Sequence, residues 1–168
     1  LDPEWRADWP VVAISHGDAL AYAAYVDARR PDGHADHVLD LPSFVEWTAA
    51  GLGGTTRLYV FGHRFRPKWV SSCYARPTPG PSPVLSFPRD ESPTGALDMS
   101  GSALEWSVDR YDGGRDFVRL LGGAWGRADP EMFKVQGGLG LAPESTSGET
   151  GLRLVLRDLP TPLLFAWL

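Results

Sequence analysis

Apolar residues recur at helical spacing from Ala19 through Leu20, Tyr22 and Ala23 to Val26, which predicts a helix over residues 17–30. Ser15 stands where an N-cap would accept a first-turn amide, and Pro31-Asp32-Gly33 ends the run. Just upstream, Trp9-Pro-Val-Val-Ala-Ile14 reads as a short buried strand. A second helix is predicted over residues 43–51. Ser43 is its N-cap, Glu46 the capping-box partner three positions on, and Trp47 points inward; Gly51, Gly53 and Gly54 stop it. From there to about residue 94, Pro67, Pro77, Pro79, Pro81, Pro83, Pro88 and Pro93 forbid long helices and central strands. This stretch is expected to be elaborated loop, with Pro77–Pro83 a stiff surface segment. The clearest strands are Trp106-Ser-Val-Asp-Arg-Tyr111, Phe117-Val-Arg-Leu-Leu121 and Leu152-Arg-Leu-Val-Leu156. The last alternates for part of its length, as a half-exposed antiparallel strand does, and Tyr111-Asp-Gly-Gly-Arg115 is a turn between the first two.

Composition narrows the class. The 168 residues suit one domain over residues 1–158, followed by an apolar tail at 159–168 that Pro160 and Pro162 interrupt. With 19 Gly, 15 Pro and 7 Trp, this is a loop-rich domain with aromatic anchors rather than a helical bundle. The formal charge is −5, the arginines read as scattered among acids on a solvated surface, and the absence of a basic stripe argues against nucleic acid as partner. The single cysteine, Cys73, excludes an internal disulfide framework and a multi-cysteine metal site. It reads as a buried structural thiol and suits a reducing, cytoplasmic compartment. No stretch approaches the roughly 18 apolar residues of a membrane span. A chain beginning at Leu1 is read as a piece of a longer protein.

Seven motifs occur in a set order: Pro10-Val-Val-Ala-Ile-Ser-His-Gly-Asp-Ala19, Leu41-Pro-Ser-Phe-Val-Glu-Trp47, Tyr59-Val-Phe-Gly62, Pro83-Val-Leu-Ser-Phe-Pro88, Gly95-Ala-Leu-Asp-Met-Ser-Gly-Ser-Ala-Leu-Glu-Trp106, Leu120-Leu-Gly-Gly-Ala-Trp125 and Gly151-Leu-Arg-Leu-Val155. As a set they resemble the formylglycine-generating enzyme, or sulfatase-modifying factor, family. The resemblance implies an α+β, C-type lectin-like fold with two short helices, a small twisted antiparallel sheet and much loop. The family's N-terminal section, which carries its first strands, is expected to lie upstream. Asp90-Glu-Ser-Pro93 is similar to wording in modules fused to bacterial serine/threonine kinases.

The resemblance also says where chemistry should sit. Family oxidases carry two cysteine thiolates for copper after the Gly-Gly-Ser-Trp motif, and Cu(I) needs soft ligands of that kind. Here Gly123 to Gly140 contains no cysteine, Phe133 stands in place of one, and Gly138 replaces an arginine. Copper and formylglycine chemistry are therefore not expected. An iron-dependent branch takes histidines from a fused helical domain. Of His16, His34, His37 and His63, only His34 and His37 could share a metal, in a loop with Asp32, Asp36 and Asp40 that otherwise reads as a solvated turn. The segment corresponding to the family's calcium loop implies Ser100, Gly101, Ala103 and Glu105 as structural calcium ligands, with Ser102 replacing the usual Asn. In the alternative reading, Glu105 holds the turn through loop amides without metal. Asp98, Glu105 and Asp109 read as scaffold rather than as an acid/base pair.

The expectation is a non-catalytic binding or sensor module in a larger bacterial, effector-linked protein. Its contact surface is placed on the loop from about Gly126 to Thr150, with Arg127, Glu131, Phe133, Lys134, Gln136 and Glu144 as exposed candidates for a protein partner or a linked domain. One alternative is an oxidoreductase of the same family whose copper or iron ligands come from elsewhere. Another is an architectural docking or homodimerisation domain, suggested by the apolar Leu163-Leu-Phe-Ala-Trp167.

Overall fold

A computed structural model of the chain describes residues 5–31, 37–78, 80–112 and 116–158. The expected His34–His37 loop site, the tip of the Tyr111–Arg115 turn, Pro79 and the tail at 159–168 lie outside the described residues, in whole or part. Helix α1 spans His16–Asp27 and α2 spans Phe44–Leu52. Both open on a complete capping box: Ser15 with Asp18, and Ser43 with Glu46. Helix α2 closes on Gly53 in the left-handed region at φ 52°, where a Cβ would also meet Pro93 Cβ at 2.7 Å. Helix α1 buries only Ala19 and Ala23, while Leu20 and Tyr22 face outward, so small residues rather than large ones set its close approach to the core.

Strand β1 is His37–Asp40, β2 Leu104–Arg110, β3 Val118–Leu121, β4 Leu139–Leu141, β5 Thr150–Gly151 and β6 Val155–Asp158. Four of them form a mixed sheet in the order β4-β3-β2-β5, antiparallel except for the parallel β2–β5 pair. β1 and β6 form a separate antiparallel ribbon. The expected antiparallel sheet is thus present, with a parallel edge and a second ribbon added. Leu152–Leu156, read as one strand, instead serves two sheets. Its start follows β5, its end enters β6, and residues 152–154 cross between them.

The expected strand at residues 9–14 is absent. Val12 makes only an isolated bridge to Gly151, Ala13 takes φ 58°, and Val11 is exposed. The left-handed residue turns the chain out of extended geometry, so the pairing with β5 stops at that one bridge. Trp106 explains the segment's position, because its indole Nε1 donates to Ile14 O at 3.0 Å.

Trp106, Leu104, Leu120, Leu41 and Ala19 form one buried cluster. Trp47, Val60, Met99, Leu121 and Val135 form a second, and Tyr59, Val70 and Phe133 a third. Burying each large apolar side chain contributes about 1.5–3 kcal/mol. Residues 53–103 contain no helix or strand among those described, as the prolines require. Buried polar contacts hold this long excursion instead. Asp90, 1% exposed, accepts hydrogen bonds from the amides of Ser100 and Gly101, and Ser102 N donates to Ser71 O at 3.2 Å. No helix among the described residues is long and apolar enough to cross a membrane.

Candidate functional site

The loop joining β3 to β5 is built against a fixed aromatic anchor. Asp129 caps a short 3-10 helix, Pro130–Phe133, whose last residue is 0% exposed. Phe133 packs against Phe65 at 4.9 Å between ring centroids, and its ring fills the space that a Cβ on Gly123 would need. The Gly122-Gly123 motif thus lets the loop fold back over its own anchor. Phe133 is therefore corrected from an exposed contact residue to a core residue: an apolar ring in the place of a thiol gains more from burial than from solvent.

The other candidates separate into groups. Glu131, Lys134 and Gln136 line one cleft of about 280 Å³ with Arg57, Leu58 and Met132. Lys134 Nζ lies 2.7 Å from Glu131, whose carboxylate raises the lysine's pKa. Arg127 lies elsewhere on the loop, paired with Glu149 at 2.8 Å, and Glu144 is exposed apart from the cleft residues. Sequence reading missed Arg57, which joins this cleft from the far side of the chain and donates to Val60 O at 3.1 Å. Nothing in its local pattern marks it, because a long-range crossing brings it here. Half-buried Cys73 approaches the same loop, its amide donating to Arg127 O at 3.1 Å.

A larger cleft, about 530 Å³, lies on another face. Trp9, Val11, Ile14, Val84, Leu97 and Leu152 wall it, and Asp98, Glu105 and Arg153 line its polar part. Arg153 Nε and Nη2 donate to the two Glu105 oxygens at 2.8 and 3.1 Å, and Nη2 also donates to Leu97 O at 2.9 Å. Glu105 holds the Arg153 pKa up by charge attraction. Burial raises the Asp98 pKa, while Leu85 N donates to its carboxylate at 2.6 Å. Asp109 accepts from Phe44 N. Each of the three acids thus has a hydrogen-bond partner in the scaffold.

The expected calcium ligands can be tested on this geometry. Ser100, Gly101, Ala103 and Glu105 are all buried, and Ser100 O already accepts from Gly123 N at 2.9 Å. Both Glu105 oxygens are taken by a guanidinium, which supplies the positive charge a calcium ion would bring. The residues do not fit the ion in this arrangement. The reading through loop amides is replaced as well, since the partner of Glu105 is Arg153. Among the described residues, no group of three or more His, Cys, Asp and Glu could hold a metal. His16 packs near Trp106, with Nε2 3.1 Å from Ser107 O, and burial lowers its pKa; His37 pairs with Asp158 at 2.9 Å; His63 is exposed.

A family model described as a sulfatase-modifying factor enzyme 1-like domain matches residues 2–158. The chain is 29% identical over 164 residues to inactive C-alpha-formylglycine-generating enzyme 2 of Bos taurus, covering 88% of this chain and 50% of that protein. It is 31% identical over 118 residues to the formylglycine-generating enzyme of Mycobacterium tuberculosis, covering 63% of this chain and 35% of that one. The chain thus spans half or less of the length of these relatives. Among solved structures, PvdO from Pseudomonas aeruginosa superposes with a TM-score of 0.72 at 20% identity, over 93% of this chain and 64% of that one. That likeness establishes the shared α+β, C-type lectin-like fold.

Proposed function

Because this chain belongs to the sulfatase-modifying factor enzyme 1-like family, we propose that it keeps the family scaffold as a non-catalytic binding module. One observation carries the reading. The loop that follows Gly122-Gly123 offers no thiolate, and where the resemblance expects a cysteine it has Phe133, buried as a packing residue. Hard and aromatic groups cannot replace a pair of soft ligands. The name of the bovine relative, inactive enzyme 2, supports the same reading. Binding falls to the cleft of Arg57, Glu131, Lys134 and Gln136, whose mixed charges and amide suit a polar protein segment. The module is proposed to act in the cytoplasm of a bacterium, on a protein partner or a linked effector domain.

The test is metal analysis and oxygen uptake. Purified protein, reconstituted with Cu(I) and separately with Fe(II), should retain neither metal stoichiometrically. It should consume no oxygen with a cysteine-containing peptide. Stoichiometric copper or iron together with thiol-dependent oxygen uptake would overturn the reading in favour of a family oxidoreductase.

A further inference from the structure

The charges are not scattered as composition suggested. Residues 47–89 contain six of the 16 Lys and Arg and none of the 21 Asp and Glu. None of the six, Arg57, Arg64, Arg66, Lys68, Arg76 and Arg89, pairs with a carboxylate among the described residues. Elsewhere Arg6, Arg30, Arg110, Arg127, Lys134, Arg153 and Arg157 do, while Arg29 and Arg119 lie over aromatic rings. Five of the six are exposed, all but Arg57, and Arg76 is turned to the carbonyls of Gly80 and Pro81, which leaves Arg64, Arg66, Lys68 and Arg89. Two of them lie over Trp69: the guanidinium of Arg89 is 4.7 Å and that of Arg66 5.6 Å from its ring centroid. Lys68, Trp69 and Arg89 line a cleft of about 270 Å³ with Ser86, Phe87 and Pro88.

This face is held in place before anything binds. Phe61 stacks on Tyr59 at 5.5 Å and meets Trp69 edge-on at 5.6 Å, while Phe65 bridges Tyr59 to buried Phe133. The aromatic chain roots the basic loop in the core, so less ordering entropy opposes binding. Unpaired guanidinium groups in fixed positions match carboxylates in a two-pronged geometry.

We propose that Arg66, Lys68 and Arg89 at Trp69, together with exposed Arg64 of the same loop, form a docking face for a short acidic peptide segment. This face is separate from the loop cleft and stands whether or not the domain is catalytic. The overall charge of −5 favours a short segment over a long polyanion. A long nucleic acid carries most of its charge beyond the reach of these side chains, whereas an acidic peptide of about ten residues or fewer keeps its charge near them.

The experiment is fluorescence anisotropy on the whole chain with fluorescein-labelled deca-glutamate. Saturable binding is expected at 50 mM NaCl, weakening at least tenfold at 300 mM. R66E/R89E should weaken it at least tenfold. R64E/K68E changes two exposed side chains and should do the same with an unaltered circular dichroism spectrum. Absence of saturable binding overturns the proposal. So does unchanged affinity in a folded R64E/K68E variant, or tighter binding of a labelled deca-thymidylate than of the peptide.

Discussion

Glu46 and Asp90 are both carboxylates held by hydrogen bonds, yet their surroundings push them in opposite directions. Arg157 reaches Glu46 with Nε at 2.7 Å and Nη2 at 2.8 Å, and lowers its pKa to about 2. Its ordinary value is 4.5, so its stabilisation is complete above that pH and is lost as pH falls toward 2. Asp90 is raised from 3.8 to about 7, because burial outweighs the amides of Ser100 and Gly101. Its contribution is complete below 3.8 and is lost as pH rises through 7. Thermal melts from pH 2 to 9 should therefore show two separable limbs. E46Q should flatten the fall below pH 4.5, and D90N should flatten the decline toward pH 8 while lowering the midpoint throughout, since one amide loses its acceptor. Superimposable pH profiles for D90N and the parent would contradict the assignment. Of these two residues, Glu46 was legible through its capping-box spacing. Asp90 was not, because its amide partners lie ten and eleven residues on, with no repeating pattern between.

At the scale of elements, both helices were readable because a cap and its partner are three residues apart. The strands were readable only where apolar runs were long. Strand β4 has three residues with two glycine-flanked leucines, and β1 is a four-residue ribbon paired far along the chain. Neither has enough length for a period to show. The split of residues 152–156 between two sheets follows from Arg153, which turns inward to Glu105 where a surface strand would have shown it to water. The 3-10 helix before Lys134 was missed for the same reason that Phe133 was misplaced: one turn carries no periodicity, and only the aromatic cluster reveals its anchor. Phe133→Ala should lower the unfolding free energy by about 3–5 kcal/mol in urea titration. Val45→Ala, on the exposed face of α2, should stay within about 0.5 kcal/mol. Comparable losses at both positions would show that the loop is not rooted through Phe133.

For the whole molecule, the family scaffold was legible because its motifs mark turns, caps and core aromatics, which persist when chemistry changes. The candidate cleft was legible only in part. Glu131, Lys134 and Gln136 were found on the loop, while Arg57 and the basic face depend on chain crossings that spacing cannot report. The pair of half-buried Arg153 with buried Glu105 gives a prediction at this scale. Its charge is already balanced, so millimolar calcium or EDTA should leave the melting temperature unchanged within error. A calcium-dependent rise of several degrees would show that Arg153 yields to the ion. Removing the arginine alone, as in Arg153→Met, should cost about 1–3 kcal/mol, because the carboxylate it strands is buried but faces a cleft that water can enter.

The pairing of β1 with β6 and the bridge from Val12 to Gly151 also set an order in time. Synthesis proceeds from the N-terminus, so the first helix and the ribbon at residues 37–40 leave the ribosome long before their partners exist. The domain can close only once the chain has been made as far as Asp158. Until then, the surfaces those late strands cover stand open to chaperones and proteases.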